Sequence, residues 1–339
     1  MKEAMVYEKC ENLEVHCRLC GHKCRIKNGH RGICAVRENK EGTLYSLVYG
    51  KVISTNIDPI EKKPLFHFLP GSTSFSIATA GCNFRCKHCQ NYEISQYPRE
   101  RTFDIPGREA APEEIVDAAV RNGCESISYT YTEPTIFFEF AYDCARLARE
   151  KGLRNVFVSN GYTGPEAARL IAPYLDANNI DLKGSDAFYR EICGARLEPV
   201  KETIILMHEL GVWVEVTTLI IPGHNDSDKD ITEIAEFIAS VDAGIPWHVS
   251  QFYPTYKLLD KSRTPVATLR RARDIGFRAG LKAVYEGNVP GEGGENTYCP
   301  SCKKLLIKRF GYRILENHIS NGGCPACKTR LDGIWLQGG

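Results

Sequence analysis

Residues 74–89 read SFSIATAGCNFRCKHC, a short apolar and β-branched run followed at once by three cysteines, Cys82, Cys86 and Cys89. The run 74–79 has the make-up of a buried strand, and the glycine after it opens a loop. If that strand belongs to a parallel sheet, the loop opens at its carboxyl end, where α/β folds place their chemistry. Three thiolates are one ligand short of closing a tetrahedral zinc site or of fully ligating a [4Fe–4S] cluster. An open position is what a catalytic metal centre needs, because a substrate or cofactor can bind there. The competing reading is a zinc knuckle completed by His88. It is the weaker one, since the place of the loop suits catalysis and two better zinc candidates lie elsewhere in the chain.

Outward from this loop the chain alternates. Strand-like runs follow at 126–130, 154–159, 178–182, 212–220 and 246–252, and amphipathic helical patterns at 112–122, 135–151, 165–173, 199–210, 229–241 and 267–280. Such alternation predicts an α/β fold with a parallel sheet and helices outside it. Six strand–helix units fall short of a closed eight, so the expectation is a partial (β/α)6 barrel over residues 71–296. Before it, 1–70 is a Cys-rich metal-binding segment with a strand-like LYSLVYGKVIST; after it, 297–339 is a zinc-ribbon-like module. The stretch 287–296, GNVPGEGGEN, reads as a linker into that module.

At 339 residues with 43% hydrophobic and 25% charged residues, the composition is that of an ordinary globular protein. The net charge of +1 argues against a chain built mainly to grip nucleic acid or an anionic membrane. That total conceals a polarity: 12 basic against 8 acidic residues in 1–70, 24 against 32 in 71–298, and 7 against 2 in 299–339. There is no run of 18 apolar residues, and the start MKEAMVYEKCENLEVHC has no apolar core for a secretory signal. A cytoplasmic location is therefore expected, and there the 15 cysteines point to metal or redox chemistry rather than to disulfides.

Eight further cysteines form two flanking sets. Cys299, Cys302, Cys324 and Cys327 stand as two CxxC pairs with 21 residues between them, the form of a closed structural zinc ribbon. Cys17, Cys20, Cys24 and Cys34 fit either zinc or an auxiliary iron–sulfur cluster, with His16, His22, His30 or Cys10 as substitute ligands. Of the remaining cysteines, Cys124, Cys144 and Cys193 read as buried thiols, with Cys193 the one placed shortly after a strand end.

The CxxxCxxC of Cys82, Cys86 and Cys89 on the loop after strand one resembles the signature of the radical S-adenosylmethionine (SAM) superfamily. The resemblance implies a radical SAM partial barrel. In that family three cysteines bind a [4Fe–4S] cluster, SAM chelates its fourth iron, and reductive cleavage yields methionine and a 5′-deoxyadenosyl radical. YTEP at 131–134 resembles the family's Gly-Gly-Glu-Pro motif with the glycines replaced, and it implies that Glu133 accepts from the SAM ammonium. VSNG at 158–161 and DLK at 181–183 are similar to segments of the glycyl-radical-activating branch, implying SAM contacts by Asn160, Asp181 and Lys183. Phe84, His88, Thr218, His248 and Gln251 are further contacts the resemblance implies, with Tyr253, Tyr285, Glu286 and Asn288 nearby in the chain.

Over almost the full length the chain resembles the radical SAM member of the AmmeMemoRadiSam system, a group related to pyruvate formate-lyase activating enzymes. The carriers are residues 17–52, CRLCGHKCRIKNGHRGICAVRENKEGTLYSLVYGKV, then DPIEKKPLFHFLPGS, GCNFRCKHCQNYEISQ and VPGEGGENTYCPSC. Expected cofactors are a [4Fe–4S] cluster, SAM and zinc at one or two structural sites. Expected partners are a small-molecule substrate, a ferredoxin or flavodoxin as electron donor, and Memo-type and AMMECR-type proteins. The radical is expected to attack a small molecule, such as the aromatic amino acid tyrosine, by hydrogen abstraction or adenosyl addition. The alternative is an activating enzyme acting on a protein glycine. From a different class comes a non-catalytic zinc-ribbon scaffold or nucleic-acid module.

Overall fold

The strand read from SFSIAT is present as β1, Thr73–Thr79, and six of its seven side chains are buried, as a strand covered on both faces requires. In this computed structural model residues 1–100 and 105–336 are described; 101–104 and the last three residues of the expected 297–339 module lie outside them. The remaining expected strands are β2 (Ser126–Tyr129), β3 (Arg154–Ser159), β4 (Ala177–Asp181), β5 (Trp213–Ile220) and β6 (Trp247–Gln251). A further strand, β7 (Val284–Gly287), lies where the sequence reading had an approach to a linker. VYEG is too short, and too polar at Glu286, to announce itself. Its burial depends on Arg273, whose Nη1 is 3.5 Å from Glu286 Oε1.

The helices between strands form for local reasons. In α1 (Pro112–Arg121), proline occupies the first turn, Glu113 and Glu114 face the positive end of the helix dipole, and Glu114 Oε1 accepts from Ala111 N–H at 3.1 Å. Ile115, Val116 and Ala119 form its buried stripe, and Gly123 at φ +62° lets the chain turn away. The others are α2 (Phe138–Glu150, preceded by a 3₁₀ turn at Pro134–Phe137), α3 (Pro165–Ile171), α4 (Glu198–Glu209), α5 (Asp228–Val241) and α6 (Val266–Arg278). The α5 N-terminus is capped by Ser227, whose hydroxyl accepts from Asp230 N–H at 3.1 Å.

The chain forms two compact units, interleaved in sequence: Met1–Asp58, Thr73–Asn178 and Ile192–Val212 in the first; Pro59–Ser72, Asn179–Glu191 and Trp213–Gly339 in the second. In the first, β1 and β3 flank β2 in parallel, with Ser74 opposite Ser126 and Ser126 opposite Arg154. The strand Lys51–Pro59 lies beyond β1 and pairs antiparallel with Arg108–Glu109. In the second, β5, β6 and β7 run parallel in that order, with β4 on the other side of β5. The second unit also carries an antiparallel three-stranded sheet of Thr297–Tyr298, Leu305–Phe310 and Arg313–Asn317. Among the described residues no helix is long and apolar enough to cross a membrane.

Candidate functional site

Cys82, Cys86 and Cys89 occupy the loop after β1, each half-buried. Three backbone bonds pin this loop: Gly81 N–H to Ile94 O at 3.0 Å, Arg85 N–H to Cys193 O at 2.8 Å, and Lys87 N–H to Ile192 O at 3.0 Å. The reading that singled out Cys193 thus met a real neighbour of the loop, which is held by its carbonyl. At Gly81 φ is +104° and a Cβ would stand 2.7 Å from Val36 Cγ1, so the position takes only glycine.

Two residues without a recognisable signature complete the clamp. Arg99 donates from Nη2 to Cys82 O at 2.6 Å, from Nη1 to Phe84 O at 2.7 Å and from Nε to Ile33 O at 2.9 Å. His22 places Nε2 2.9 Å from Asn83 O, and its ring lies 4.8 Å from that of Tyr162. Phe84 is 1% exposed and meets Tyr162 edge-on at 5.0 Å, so its ring is part of this packing. His88 is likewise buried.

The sulfur of Cys82 is met by N–H groups. Phe84 N–H donates to it at 3.4 Å, and Asn160 Nδ2, 3.7 Å away, also donates to Asn83 Oδ1 at 2.7 Å. Burial, and then the Glu133 carboxylate, push the Cys82 thiol well above its usual range. A cation at the site is what would draw the proton off.

Glu133 is fully buried at the end of β2. Its Oε1 accepts from Thr135 N–H at 2.9 Å, the Thr135 hydroxyl at 2.6 Å and the Ser159 hydroxyl at 2.9 Å, and its Oε2 from Asn160 N–H at 2.8 Å. Burial raises its pKa despite these donors. One carboxylate therefore binds the ends of β2 and β3 together. Tyr131, standing where the family motif has glycine, keeps the left-handed backbone at φ +62°, and its hydroxyl donates to Asp58.

The second unit carries the other expected site residues. Asp181, the last residue of β4, and Lys183 form an ion pair at 2.6 Å. Thr218 on β5 donates to Leu182 O at 2.7 Å and accepts from Trp247 Nε1 at 2.9 Å. His248 on β6 is buried with Nε2 2.7 Å from Glu215 Oε2, and Glu215 also accepts from the Phe66 and His67 amides and the Trp213 indole. Gln251 donates to Thr264 O at 2.6 Å while its Oε1 is buried without a partner. Glu215 was not read as polar machinery, because its partners other than Trp213 lie far away in sequence.

The flanking cysteines differ in geometry. Among the described residues, one group of three or more Cys, His or carboxylate ligands has every ligand atom within 4.8 Å of the others: Cys299, Cys302, Cys324 and Cys327. Cys299 and Cys327 sulfurs are 3.5 Å apart and those of Cys302 and Cys324 3.6 Å, near the roughly 3.8 Å edge of a tetrahedron with 2.3 Å metal–sulfur bonds. The thiols of Cys82, Cys86 and Cys89, and those of the N-terminal four, are spread beyond that shell. Cys17, Cys20, Cys24 and Cys34 line one cavity with His22, whereas Cys10 and His30 line another.

Residues 76–238 match the model of the Radical SAM superfamily. Across 98% of its length the chain is 50% identical to the uncharacterized protein MJ0808 of Methanocaldococcus jannaschii, covering 99% of that protein. The chain belongs to the radical SAM superfamily. It is also 24% identical to the pyruvate formate-lyase-activating enzyme of Clostridium pasteurianum over 48% of this chain and 67% of that one. Among solved structures, SuiB of Streptococcus suis bound to S-adenosylmethionine matches with a TM-score of 0.50 and 16% identity, over 68% of this chain and 53% of that one. The likeness to SuiB shows the fold: an α/β radical SAM architecture with parallel strands.

The residues of this loop fit the superfamily's cofactors. Three thiols with sulfurs wider apart than a single-ion shell, and N–H donors aimed at one of them, would suit an iron–sulfur cluster with an open iron.

Proposed function

We propose that this chain is a SAM-cleaving radical enzyme in which Cys82, Cys86 and Cys89 hold a [4Fe–4S] cluster. The observation that carries this is the pinned three-thiol loop at the end of β1, with Phe84 N–H and Asn160 Nδ2 directed at Cys82 Sγ. When bound and reduced there, cluster and SAM supply methionine and a 5′-deoxyadenosyl radical. The chain's own part is to hold, orient and exclude water, since a radical needs a near hydrogen and no proton relay.

The nine proposed SAM-contacting side chains divide by what their polar atoms already do. Glu133 and Thr218 are engaged by internal donors and acceptors and serve as positioning residues. His248 is committed to Glu215, and Phe84 and His88 pack around the loop. Asn160, bonded to Asn83 and Tyr162 but beside Cys82 Sγ, the ion-paired Asp181 and Lys183, and Gln251 are the ones we assign to SAM itself. Gln251 Oε1, buried without a partner, suits a donor on that ligand.

For the radical acceptor we propose a small molecule, with aromatic amino acids such as tyrosine as the class to try first. Supporting this, the N-terminal segment packs directly on the cysteine loop through His22 and Asn83 and through Val36 and Gly81, which narrows that side to a folded partner. The similarity to a pyruvate formate-lyase-activating enzyme favours a second reading, hydrogen abstraction from a glycine of a partner protein. We further propose zinc for the C-terminal four cysteines, a ferredoxin- or flavodoxin-class electron donor, and membership of the AmmeMemoRadiSam group with Memo-type and AMMECR-type partners.

The test incubates anaerobically reconstituted, reduced enzyme with SAM and either tyrosine or cell extract. Adenosylated small products, or 5′-deoxyadenosine formed only when the small molecule is present, support the first reading. A glycyl radical signal in a protein fraction, with no small product, replaces it with the second. Co-purification of the tagged chain with Memo-type or AMMECR-type proteins tests the partners.

A further inference from the structure

The N-terminal cysteines enclose something the radical chemistry does not use. Cys17, Cys20, Cys24 and Cys34 line a single cavity whose other walls include Leu19, Ile26, Ile33 and Arg37. The Arg37 side chain is 2% exposed and pairs through Nη2 with Glu139 Oε2 at 2.5 Å. Its Nε and Nη1 are buried and meet no hydrogen-bond acceptor. Burying unsatisfied donors of a permanent cation is unfavourable, so the arrangement asks for an acceptor in the cavity. Neutral thiols are weak acceptors; metal-bound thiolates and inorganic sulfide are strong ones.

We propose that this cavity is a second metal centre, an iron–sulfur cluster ligated by Cys17, Cys20, Cys24 and Cys34, with Arg37 donating N–H bonds to its sulfurs. A single zinc ion would draw four sulfurs to roughly 3.8 Å from one another. The C-terminal set has that spacing, with pairs at 3.5 and 3.6 Å, and the N-terminal set stands outside even a 4.8 Å shell. A cluster, with an iron behind each thiolate, takes a wider set of ligands, and an apolar wall keeps water from its sulfurs. The site lies close to the three-cysteine loop in the same unit. Arg99 joins Ile33 O, next to Cys34, to Cys82 O, and His22, between Cys20 and Cys24, reaches Asn83 O.

The proposal does not depend on the Cys82 assignment, and its test separates the two. The full chain with Cys82, Cys86 and Cys89 all replaced by Ala is reconstituted anaerobically with iron and sulfide, and its iron, sulfide and zinc are counted. About four irons per chain with visible charge-transfer absorption are expected, and these disappear when Cys20→Ala and Cys24→Ala are added. Arg37→Met should keep the iron and lower the cluster's reduction potential, because a cationic donor to sulfur is lost. Zinc in place of iron at these cysteines, or iron that survives Cys20→Ala with Cys24→Ala, overturns the proposal. If the triple variant does not fold, the unmodified chain decides: about eight irons support two clusters, and about four irons with two zincs reject the second.

Discussion

Asn160, just past β3, reaches the cysteine loop: its Nδ2 donates to Asn83 Oδ1 at 2.7 Å and stands 3.7 Å from Cys82 Sγ, while its Oδ1 accepts from Tyr162 N–H at 3.1 Å. The side chain therefore sets the loop's position without being a ligand. Asn160→Ala should leave the iron content of reconstituted protein unchanged and slow 5′-deoxyadenosine formation roughly 10- to 100-fold, the usual result of displacing reacting groups by about 1 Å. An unchanged rate at full iron loading would remove Asn160 from the site.

Glu133 is tested by stability rather than by rate. In Glu133→Gln one oxygen becomes an NH₂ that faces donors from Thr135, Ser159 or Asn160. The mismatch should cost about 2 kcal/mol in urea unfolding, with the slope of the transition unchanged. A loss within a few tenths of a kcal/mol would mean that the carboxylate does not organise these strand ends.

Much of this could be read from the residues. All six expected strands and their helices lie within about three residues of their readings, because runs such as SFSIAT are buried on both faces and because Pro112 or Ser227 marks where a helix begins. The three cysteines stand out in the sequence by their spacing, and they lie on the loop after β1 where that reading put them. Arg99 was not, because it acts by donating to the carbonyls of residues up to 66 positions away, and nothing in YPRE announces that. Glu215 was missed for the same reason: β5 reads as a plain buried strand until His67 and His248 are brought to it. Val284–Gly287 went unread because its one charge, Glu286, is neutralised only by the fold.

Glu215 gives a pH prediction. Burial opposes its ionisation, yet the bond from His248, the nearby His67 and the Trp213 indole outweigh this and hold its pKa below the usual carboxylate range. The unfolded chain then binds more protons in the acid range, so stability rises with pH there. This contribution is present above the ordinary value of roughly 4.3 and is lost as pH falls through the lower folded value. Urea unfolding measured from neutral to acid pH should show Glu215→Gln with a shallower acid loss than the unmodified chain. Parallel curves would contradict this.

The C-terminal cysteines predict a separable metal. Cys299, Cys324, Leu306 and Leu331 form a small core with Trp335 and Ile319 against it, too little to hold the three short strands without a cross-link. Cys302→Ser should release about one zinc per chain, leave the iron unchanged and speed amide exchange in Thr297–Asn317. Retained zinc with unaltered exchange would show that the four thiols are not its ligands.

The most direct measurement compares SAM cleavage by the reduced, reconstituted chain with that of the variant carrying Cys82→Ala, Cys86→Ala and Cys89→Ala. The unmodified chain should yield 5′-deoxyadenosine and methionine on reduction, and the variant neither, while keeping the metal of its C-terminal cysteines. Equal cleavage by both, or none from the fully iron-loaded unmodified chain, would contradict the assignment of these three cysteines as the seat of the chemistry.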